Sequence, residues 1–249
     1  MPRRIHTSIV KVGDITLSER EAHHARDVLR LRAGEAVEVF DDAGAVAPAT
    51  IVSCDERGVV VRVDELAATD PSTTAISLTV ASAVPKGDRA EWMIEKLGEL
   101  GVDRFIPLAT ARSIVLPEGK NKRQRWTRIA TEAAKQSRRR GVMRIDELTK
   151  LDTALREATS AGACWHLSTS TGATPVLELV TKDTPATLTT FIGPEGGWTN
   201  AERAQFTSAD THGVRLTPTI LRVETAAVAI AAIVGSAPSL PLSGTPGRG

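Results

Sequence analysis

The segment with the clearest potential for chemistry is the glycine-rich loop at residues 193–197, Gly-Pro-Glu-Gly-Gly, which is followed by Trp198. Its three glycines permit positive φ angles and close approach of the backbone to a ligand, and Pro194 stiffens the turn. Main-chain N–H and C=O groups can therefore face a bound molecule. The spacing fits neither a Walker loop nor a dinucleotide fingerprint. An ordinary tight connection between a strand and a helix is the alternative interpretation.

A second candidate segment, residues 216–225, leads into the most apolar stretch of the chain, residues 226–234. Arg222 and Glu224 lie immediately before that stretch. Charged groups at the start of a buried helix must be solvated, paired or functional. A functional pair is one interpretation. The other is a glutamate that complements the helix dipole, with Arg222 as its surface partner.

Strands that alternate with helices must position both segments. Apolar runs predict strands at 76–84, 104–108, 163–167, 188–192 and 214–216. Helical spacing and capping residues predict helices from Asp88 as N-cap to Gly101, over 125–137, after Thr199 with Glu202, and over 225–235. This alternation predicts an α/β domain with a parallel sheet. Ligands bind such sheets beyond the carboxyl ends of the strands, where both candidate segments lie.

The N-terminal part of the chain follows a different pattern. Short β-type runs at 36–40, 49–52 and 59–63 are separated by turns, and one helix precedes them with Ser18 and Glu21 as a capping box. We therefore expect a small β-rich domain at residues 1–70 and the α/β domain at residues 71–240. The tail at residues 241–249 continues a stretch rich in Pro, Gly and Ser and is expected to be disordered.

Composition excludes several classes of protein. The chain has 249 residues, 41% of them apolar, which argues against disordered, collagen-like and disulfide-scaffold proteins. Its longest apolar run, residues 226–234, is well short of the roughly 20 residues that span a bilayer, so no membrane partner is expected. Cys54 and Cys164 lie far apart without metal-ligand spacing. They predict free thiols, no metal site and a cytoplasmic location.

The formal net charge of +1 is a sum of two unlike parts. Residues 1–70 carry 9 basic and 13 acidic side chains, whereas residues 120–144 carry ten basic side chains and one acidic side chain, Glu132. A basic segment of this kind favours an acidic partner such as RNA. The alternative is that the segment forms an ordinary solvated face.

Together, these motifs resemble the RsmE family of ribosomal RNA methyltransferases, which belongs to the SPOUT class. The resemblance begins with the glycine-rich loop followed by Ile220-Leu221-Arg222-x-Glu224-Thr225-Ala226. It extends to Lys86-Gly87-Asp88-Arg89 with Glu95-Lys96 and Glu99-Leu100-Gly101-Val102, to Arg112-Ser113, to Glu132-Ala133-Ala134-x-Gln136-Ser137, and to His24 with Val28-Leu29-Arg30. Several motifs in the family's order are far more specific than either loop alone.

The resemblance implies a fold and an activity. The family has a PUA-like β-barrel that binds RNA, followed by a SPOUT domain, a parallel α/β sheet whose end forms a trefoil knot. Its members are homodimers with the active site near the subunit interface. They methylate N3 of a uridine in 16S ribosomal RNA, as free RNA or within the assembled small subunit, with S-adenosyl-L-methionine as the methyl donor.

The resemblance also implies a cofactor site in the loops at the strand ends. A glycine-rich loop offers backbone groups to adenine, and apolar side chains supply walls, which agrees with the chemistry of the residues. The expected cofactor-binding residues are Leu167, Ser168, Ile192, Gly193, Pro194, Glu195, Gly196, Gly197, Leu216, Ile220, Leu221 and Thr225.

Two catalytic residues are expected in the second segment. Uracil N3 normally carries a proton, which must be lost before the nitrogen can attack a methyl carbon. Arg222 is expected to stabilise the negative charge that develops on the uracil. Glu224 is expected to orient Arg222 or to assist removal of the proton.

RNA contacts are expected from basic and polar side chains. His23, Arg26 and Arg30 are predicted to share one helical stripe, with Arg32 just beyond it. The expected RNA-binding residues are His23, Arg26, Arg30, Arg32, Lys86, Arg89, Arg112, Gln136, Arg138, Arg139 and Arg140.

Departures from the family pattern leave two other functions open. Many members have Gly and Arg where this chain has Thr217 and Thr219, and usually Thr at Val223. These differences favour, as one alternative, a knotted RNA-binding ribosome assembly factor with little or no transfer activity. The other alternative is a SPOUT enzyme with another RNA target, such as a ribose 2′-hydroxyl.

Overall fold

The structure, a computed structural model, describes residues 2–67, 76–117, 119–182 and 185–237. By packing, the chain divides into two compact units. The first unit comprises Met1–Asp70 and Thr131–Val142, and the second comprises Pro71–Ala130 and Met143–Gly249. The predicted tail at residues 241–249 lies outside the described residues.

A five-stranded sheet forms the first unit. Its elements are β1 (Arg3–His6), β2 (Gly13–Thr16), α1 (Glu19–His23), β3 (Ala36–Phe40), β4 (Val46–Asp55) and β5 (Gly58–Val63). The strand order is β1-β3-β4-β5-β2, with β1 parallel to β3 and the other pairs antiparallel. The three predicted strands are confirmed. The sequence pattern does not predict β1 and β2, because each is four residues long with a single isoleucine.

The start of α1 agrees with its predicted N-cap. The Ser18 hydroxyl accepts a hydrogen bond from the Glu21 backbone N–H at 3.4 Å. The Glu21 carboxylate does not complete the predicted capping box. It accepts two hydrogen bonds from Lys135 Nζ at 2.7 and 2.8 Å, and both side chains are buried. This ion pair ties the segment Thr131–Val142 to the first unit.

The second unit contains a parallel sheet. Its elements are β6 (Ser77–Ser82), α2 (Asp88–Glu99), β7 (Arg104–Ala109), α3 (Lys120–Ser137, of which 131–137 belong to the first unit), β8 (Arg144–Ile145), β9 (Thr149–Lys150), α4 (Leu151–Ala161), β10 (Ala163–Leu167), β11 (Thr174–Pro175), α5 (Val176–Lys182), β12 (Thr187–Ile192), α6 (Asn200–Ser208), β13 (His212–Arg215) and α7 (Val223–Gly235). The strand order is β11-β13-β10-β12-β6-β7-β8, and β9 pairs with β7. The predicted α/β fold with a parallel sheet is confirmed.

Helices cover this sheet by burying apolar side chains. Phe206 of α6 and Leu155 of α4 join Phe191 of β12 in one buried cluster, and α7 packs against α2 and β6. One predicted boundary is wrong, because Asp88 is the first helical residue rather than the N-cap. Gly87 is the N-cap, with φ +64°, a conformation that glycine adopts without a steric penalty.

Within the described parts of the chain, no helix combines the length and the apolar character needed to cross a membrane. The same residues contain no group of three or more His, Cys, Asp or Glu side chains placed to hold a metal ion. Cys54 and Cys164 are free cysteines, as predicted.

Candidate functional site

Three adjacent parallel strands end at the same edge of the second sheet. β10 lies between β12 and β13, and their carboxyl ends are Leu167, Ile192 and Arg215. The loops that follow therefore begin side by side. This arrangement brings together the glycine-rich loop and the segment at 216–225, which the sequence singles out separately.

The glycine-rich loop is a tight turn packed on a tryptophan. Gly197 has φ +67°, and its N–H donates to the Pro194 carbonyl at 2.8 Å. The buried indole of Trp198 donates from Nε1 to the Leu167 carbonyl at 3.1 Å. A Cβ at Gly193 would lie 2.9 Å from Trp198 Cε2, so this position has no room for a side chain. Trp198, which is not among the twelve expected cofactor-binding residues, thus holds two of the strand-end loops together.

The segment after β7 reaches the same loop. Arg112 donates from Nη1 to the Gly196 carbonyl at 2.5 Å. Glu202 accepts a hydrogen bond from the Ala111 N–H at 2.9 Å and forms the predicted capping box with Thr199. Burial alone would raise the pKa of Glu202, but these hydrogen bonds and the nearby Arg112 guanidinium hold that pKa below its usual value. Arg112, expected to contact RNA, is therefore positioned against the glycine-rich loop.

The segment at 216–225 presents both apolar and charged side chains. Leu216 and Leu221 are half-buried, whereas Ile220 is 83% exposed. Arg222, the N-cap of α7, is exposed, and its side chain forms no hydrogen bond or ion pair with any residue in the described ranges.

Glu224 is buried and faces α2. Its Oε1 accepts a hydrogen bond from Arg89 Nη1 at 3.3 Å, and its Oε2 has no hydrogen-bond partner among the described residues. The prediction that Glu224 orients Arg222 is therefore wrong in this structure. Arg222 precedes the helix in an extended conformation, whereas Glu224 is a buried residue of its first turn, and Arg89 balances its charge. Arg89, which is expected to bind RNA, pairs with this carboxylate in the structure.

The prediction that His23, Arg26 and Arg30 share one helical stripe in the first unit is also wrong. After α1 the chain forms a π-helical segment, His24–Val28, which changes the residue spacing. Arg30 lies beyond it in the left-handed conformation, with φ 54°. His23 and Arg26 both pair with Asp27, whereas Arg30 and Arg32 are exposed.

The remaining predicted RNA-binding residues lie in two places. Lys86 is exposed just before α2 in the second unit, and Gln136 is exposed near the end of α3. Arg138 and Arg140 are also exposed, and Arg139 is half-buried. Arg138 has φ 58° and donates from Nη2 to the Pro2 carbonyl at 2.8 Å.

Two cavities in the second unit lie apart from the strand-end loops. One, of about 330 Å³, is lined by Trp126, Lys122 and Arg123 near the start of α3. The other, of about 400 Å³, lies near the amino ends of β10 and β13. Neither is lined by a predicted cofactor-binding residue.

Comparison with known proteins identifies the family of this chain. Residues 72–235 match the family model described as an RNA methyltransferase domain, and residues 17–64 match the RNA methyltransferase PUA domain. Over 226 residues the chain is 34% identical to the ribosomal RNA small subunit methyltransferase E of Bacillus subtilis, and the match covers 88% of each protein.

Two solved structures are similar along nearly the whole chain. The Neisseria gonorrhoeae ribosomal RNA small subunit methyltransferase E, bound to S-adenosyl methionine, matches with a TM-score of 0.80 and 27% identity over 93% of this chain and 96% of that one. A Legionella pneumophila methyltransferase in complex with SAM matches with a TM-score of 0.81 and 26% identity over 94% and 97%. The expected PUA-like first unit and SPOUT-type α/β fold are confirmed. The chain belongs to the RsmE family of ribosomal RNA small subunit methyltransferases.

Proposed function

We propose that this protein methylates N3 of a uridine in 16S ribosomal RNA, with S-adenosyl-L-methionine as the methyl donor. The observation that carries the proposal is the meeting of three strand-end loops beside Trp198, in a chain that resembles cofactor-bound methyltransferases over its whole fold. Family membership supports RNA as the substrate class.

The residues at the strand-end loops fit this cofactor. Gly193 lets the backbone pack directly on the Trp198 ring, where a Cβ has no room, so the loop whose main-chain groups would face the cofactor rests on a buried support. The expected contacts are the twelve residues of the three loops, with Leu216, Ile220 and Leu221 as apolar walls. When bound, the cofactor supplies a methyl group on a good leaving group. The protein must then align that carbon with the attacking nitrogen.

Arg222 and Glu224 remain the proposed catalytic residues, now with separate roles. The Arg222 guanidinium is exposed and uncommitted to any described residue, so it is available to stabilise negative charge on the uracil. Glu224 is held by Arg89, and its buried Oε2, which has no hydrogen-bond partner among the described residues, would accept the N3 proton or a hydrogen bond from the base.

The proposed assembly follows from the family. The PUA-like region, at residues 1–70 in our proposal, would bind RNA, and residues 71–240 would form the methyltransferase domain with a knotted end. A homodimer would complete the active site from two subunits. The free thiols Cys54 and Cys164 and the ribosomal substrate support a cytoplasmic location.

Methyl transfer to unmodified ribosomal material tests the proposal. Labelled cofactor is incubated with small subunits and with free 16S RNA that lack the modification, and nucleosides are identified by mass spectrometry. We expect N3-methyluridine, formed far more slowly by Arg222→Ala and Glu224→Gln than by wild type. Arg156→Ala is the matched control, because Arg156 is an exposed residue of α4 outside the site. Absence of label from both substrates would reject the proposed function.

One observation favours a second candidate function, an RNA-binding assembly factor. Thr217 donates from Oγ1 to the Thr219 carbonyl at 2.8 Å, so the two residues that depart from the family pattern bond to each other. Calorimetry separates the two functions, since an assembly factor that lost transfer activity would show no cofactor binding at millimolar concentration. A ribose-methylated nucleoside in the transfer assay would indicate a SPOUT enzyme that acts on a ribose 2′-hydroxyl.

A further inference from the structure

A buried arginine, Arg4, anchors the end of α3 in the first unit. Only 8% of this residue is exposed. Its Nη1 donates to the carbonyls of Ala134 and Arg139 at 3.1 and 2.6 Å, and its Nε lies 2.8 Å from Glu38 Oε1. The guanidinium also lies over the Phe40 ring, 4.2 Å from its centroid. The planar group thus contacts three parts of the first unit: the end of α3, the turn that follows it, and β3.

The turn after α3 is fixed by further contacts within this unit. Arg138 donates to the Pro2 carbonyl at 2.8 Å. A Cβ built at Gly141 would lie 3.1 Å from the Asp42 carbonyl oxygen, so the backbone of the turn packs closely on the loop that follows β3. Together with the bonds from Arg4, these contacts fix the backbone that carries Arg138 and Arg140.

Positive charge at this turn is only partly balanced. Burial lowers the pKa of Arg4, Glu38 opposes that shift, and the nearby charges of Arg138 and Arg140 lower it further. Glu38 is already paired with Arg4. Arg140 is exposed and has no hydrogen bond or ion pair within the described parts of the chain. An anion at this turn would relieve the repulsion among the three guanidinium groups.

The backbone of Arg138 is a second sign of function. Arg138 directly follows the last residue of α3 and has a φ of 58°. Helices that end in this left-handed conformation usually have glycine at that position. An L-residue pays a steric penalty there, and such strained positions cluster at functional sites. Attraction to the helix dipole is the simpler explanation for cations at this end. It does not account for a strained arginine, because Arg4 already donates to carbonyls at the end of the helix.

We propose that Arg138 and Arg140 form a preorganised binding site for RNA phosphodiester groups, and that Arg4 is the positioning residue that fixes their turn. The proposal rests on the proposed function, which supplies RNA as the ligand. It adds Arg4 to the residues that govern RNA affinity, although Arg4 itself is buried and does not touch the RNA.

Salt-dependent binding of unmodified 16S RNA tests the site. Removal of one phosphate-binding side chain should reduce the slope of log K against log salt by about 0.7 to 0.9. We expect Arg140→Ala to produce that change and to weaken binding several-fold, while calorimetry shows unchanged cofactor affinity. Arg140 is exposed, so this variant should fold. An unchanged slope for Arg140→Ala would overturn the proposal.

Two variants of Arg4 separate positioning from direct contact. We expect Arg4→Gln and Arg4→Lys both to weaken RNA binding, because an ammonium group cannot donate to the two carbonyls, lie beside Glu38 and stack as a plane on Phe40 at the same time. If Arg4→Lys restores full affinity and slope, Arg4 acts as a simple charge and its positioning role is refuted.

Replacing Arg138 with glycine separates function from stability. Arg138→Gly should keep the unfolding temperature at or above that of wild type, because glycine relieves the backbone strain, while RNA affinity falls several-fold. Asp210→Gly is the matched control, since Asp210 is also left-handed, with φ 51°, and lies in the second unit. It should keep full RNA affinity. Wild-type RNA affinity in Arg138→Gly would contradict the proposal, whereas failure of wild-type protein to bind RNA at all would contradict the proposed function instead.

Discussion

Glu224 and Arg89 form an asymmetric pair at the start of α7. Arg89 Nη1 lies 3.3 Å from Glu224 Oε1, and Oε2 of the same buried carboxylate has no hydrogen-bond partner in the described structure. An unpaired buried polar group costs about 1–3 kcal/mol, and such groups in folded proteins call for an explanation. A donor supplied by the substrate would satisfy Oε2 at the moment of reaction.

Glu224→Gln should therefore lower kcat by at least about tenfold, which corresponds to about 1.4 kcal/mol in the activation barrier. The amide keeps the shape of the side chain but can no longer accept a proton. Cofactor affinity measured by calorimetry should change little. Glu178→Gln, on the exposed surface of α5, serves as the control. Equal turnover in the two variants would exclude Glu224 from the chemistry.

Gly193→Ala should damage the glycine-rich loop more than Gly196→Ala does. The new methyl group at 193 would lie 2.9 Å from the buried Trp198 ring, and overpacking of this kind costs about 1–3 kcal/mol. At 196 it would lie 3.1 Å from Arg112 Cδ, on a flexible side chain that can move. Unfolding temperature and cofactor affinity should both fall more in the first variant. The reverse order would mean that Trp198 does not restrict this loop.

Acidification should destabilise the second unit through His166. Burial lowers the pKa of His166, and the charge of His212 lowers it further, while its ring stacks on Phe206 and its Nδ1 lies 2.8 Å from Thr211 Oγ1. Above about pH 6.5 the imidazole is neutral in both folded and unfolded chains. As pH falls below that value the unfolded chain binds the proton first, so the free energy of unfolding decreases.

Urea denaturation at several pH values measures this effect. Wild type should lose stability between the unfolded and folded pKa values of His166, and His166→Gln should show a shallower loss over the same interval. His24→Gln, in the first unit and away from His166, is the control. Parallel pH profiles for wild type and His166→Gln would contradict the assignment.

Cys164 should resist alkylation in the native protein. Burial raises the pKa of its thiol to about 11, so almost no thiolate is present at pH 8. Cys54 is partly exposed and should react first with iodoacetamide. Mass spectrometry of native and urea-unfolded samples gives the comparison. Rapid modification of Cys164 without urea would show that the start of β10 opens readily.

Regular patterns made most of the second unit predictable. The strands β6, β7, β10 and β12 consist largely of apolar or β-branched residues, and the Thr199–Glu202 capping box marks the start of α6. The helix α4 also carries a helical signal, with Leu151, Ala154, Leu155 and Ala158 on one buried face, although it is not among the predicted helices. Short elements such as β1 and β11 carry too few residues to show a period.

The sequence by itself determined the family, the α/β class and the loops that carry the candidate site, because motif order and hydrophobic period are local properties of the chain. Only the tertiary structure decided which charges meet. Glu224 pairs with Arg89, which lies far away in the sequence, and Arg4 holds the turn at Arg138 through carbonyls more than a hundred residues distant. Pairing of this kind depends on burial and on the packing of separate elements, and residue spacing along the chain does not record either one.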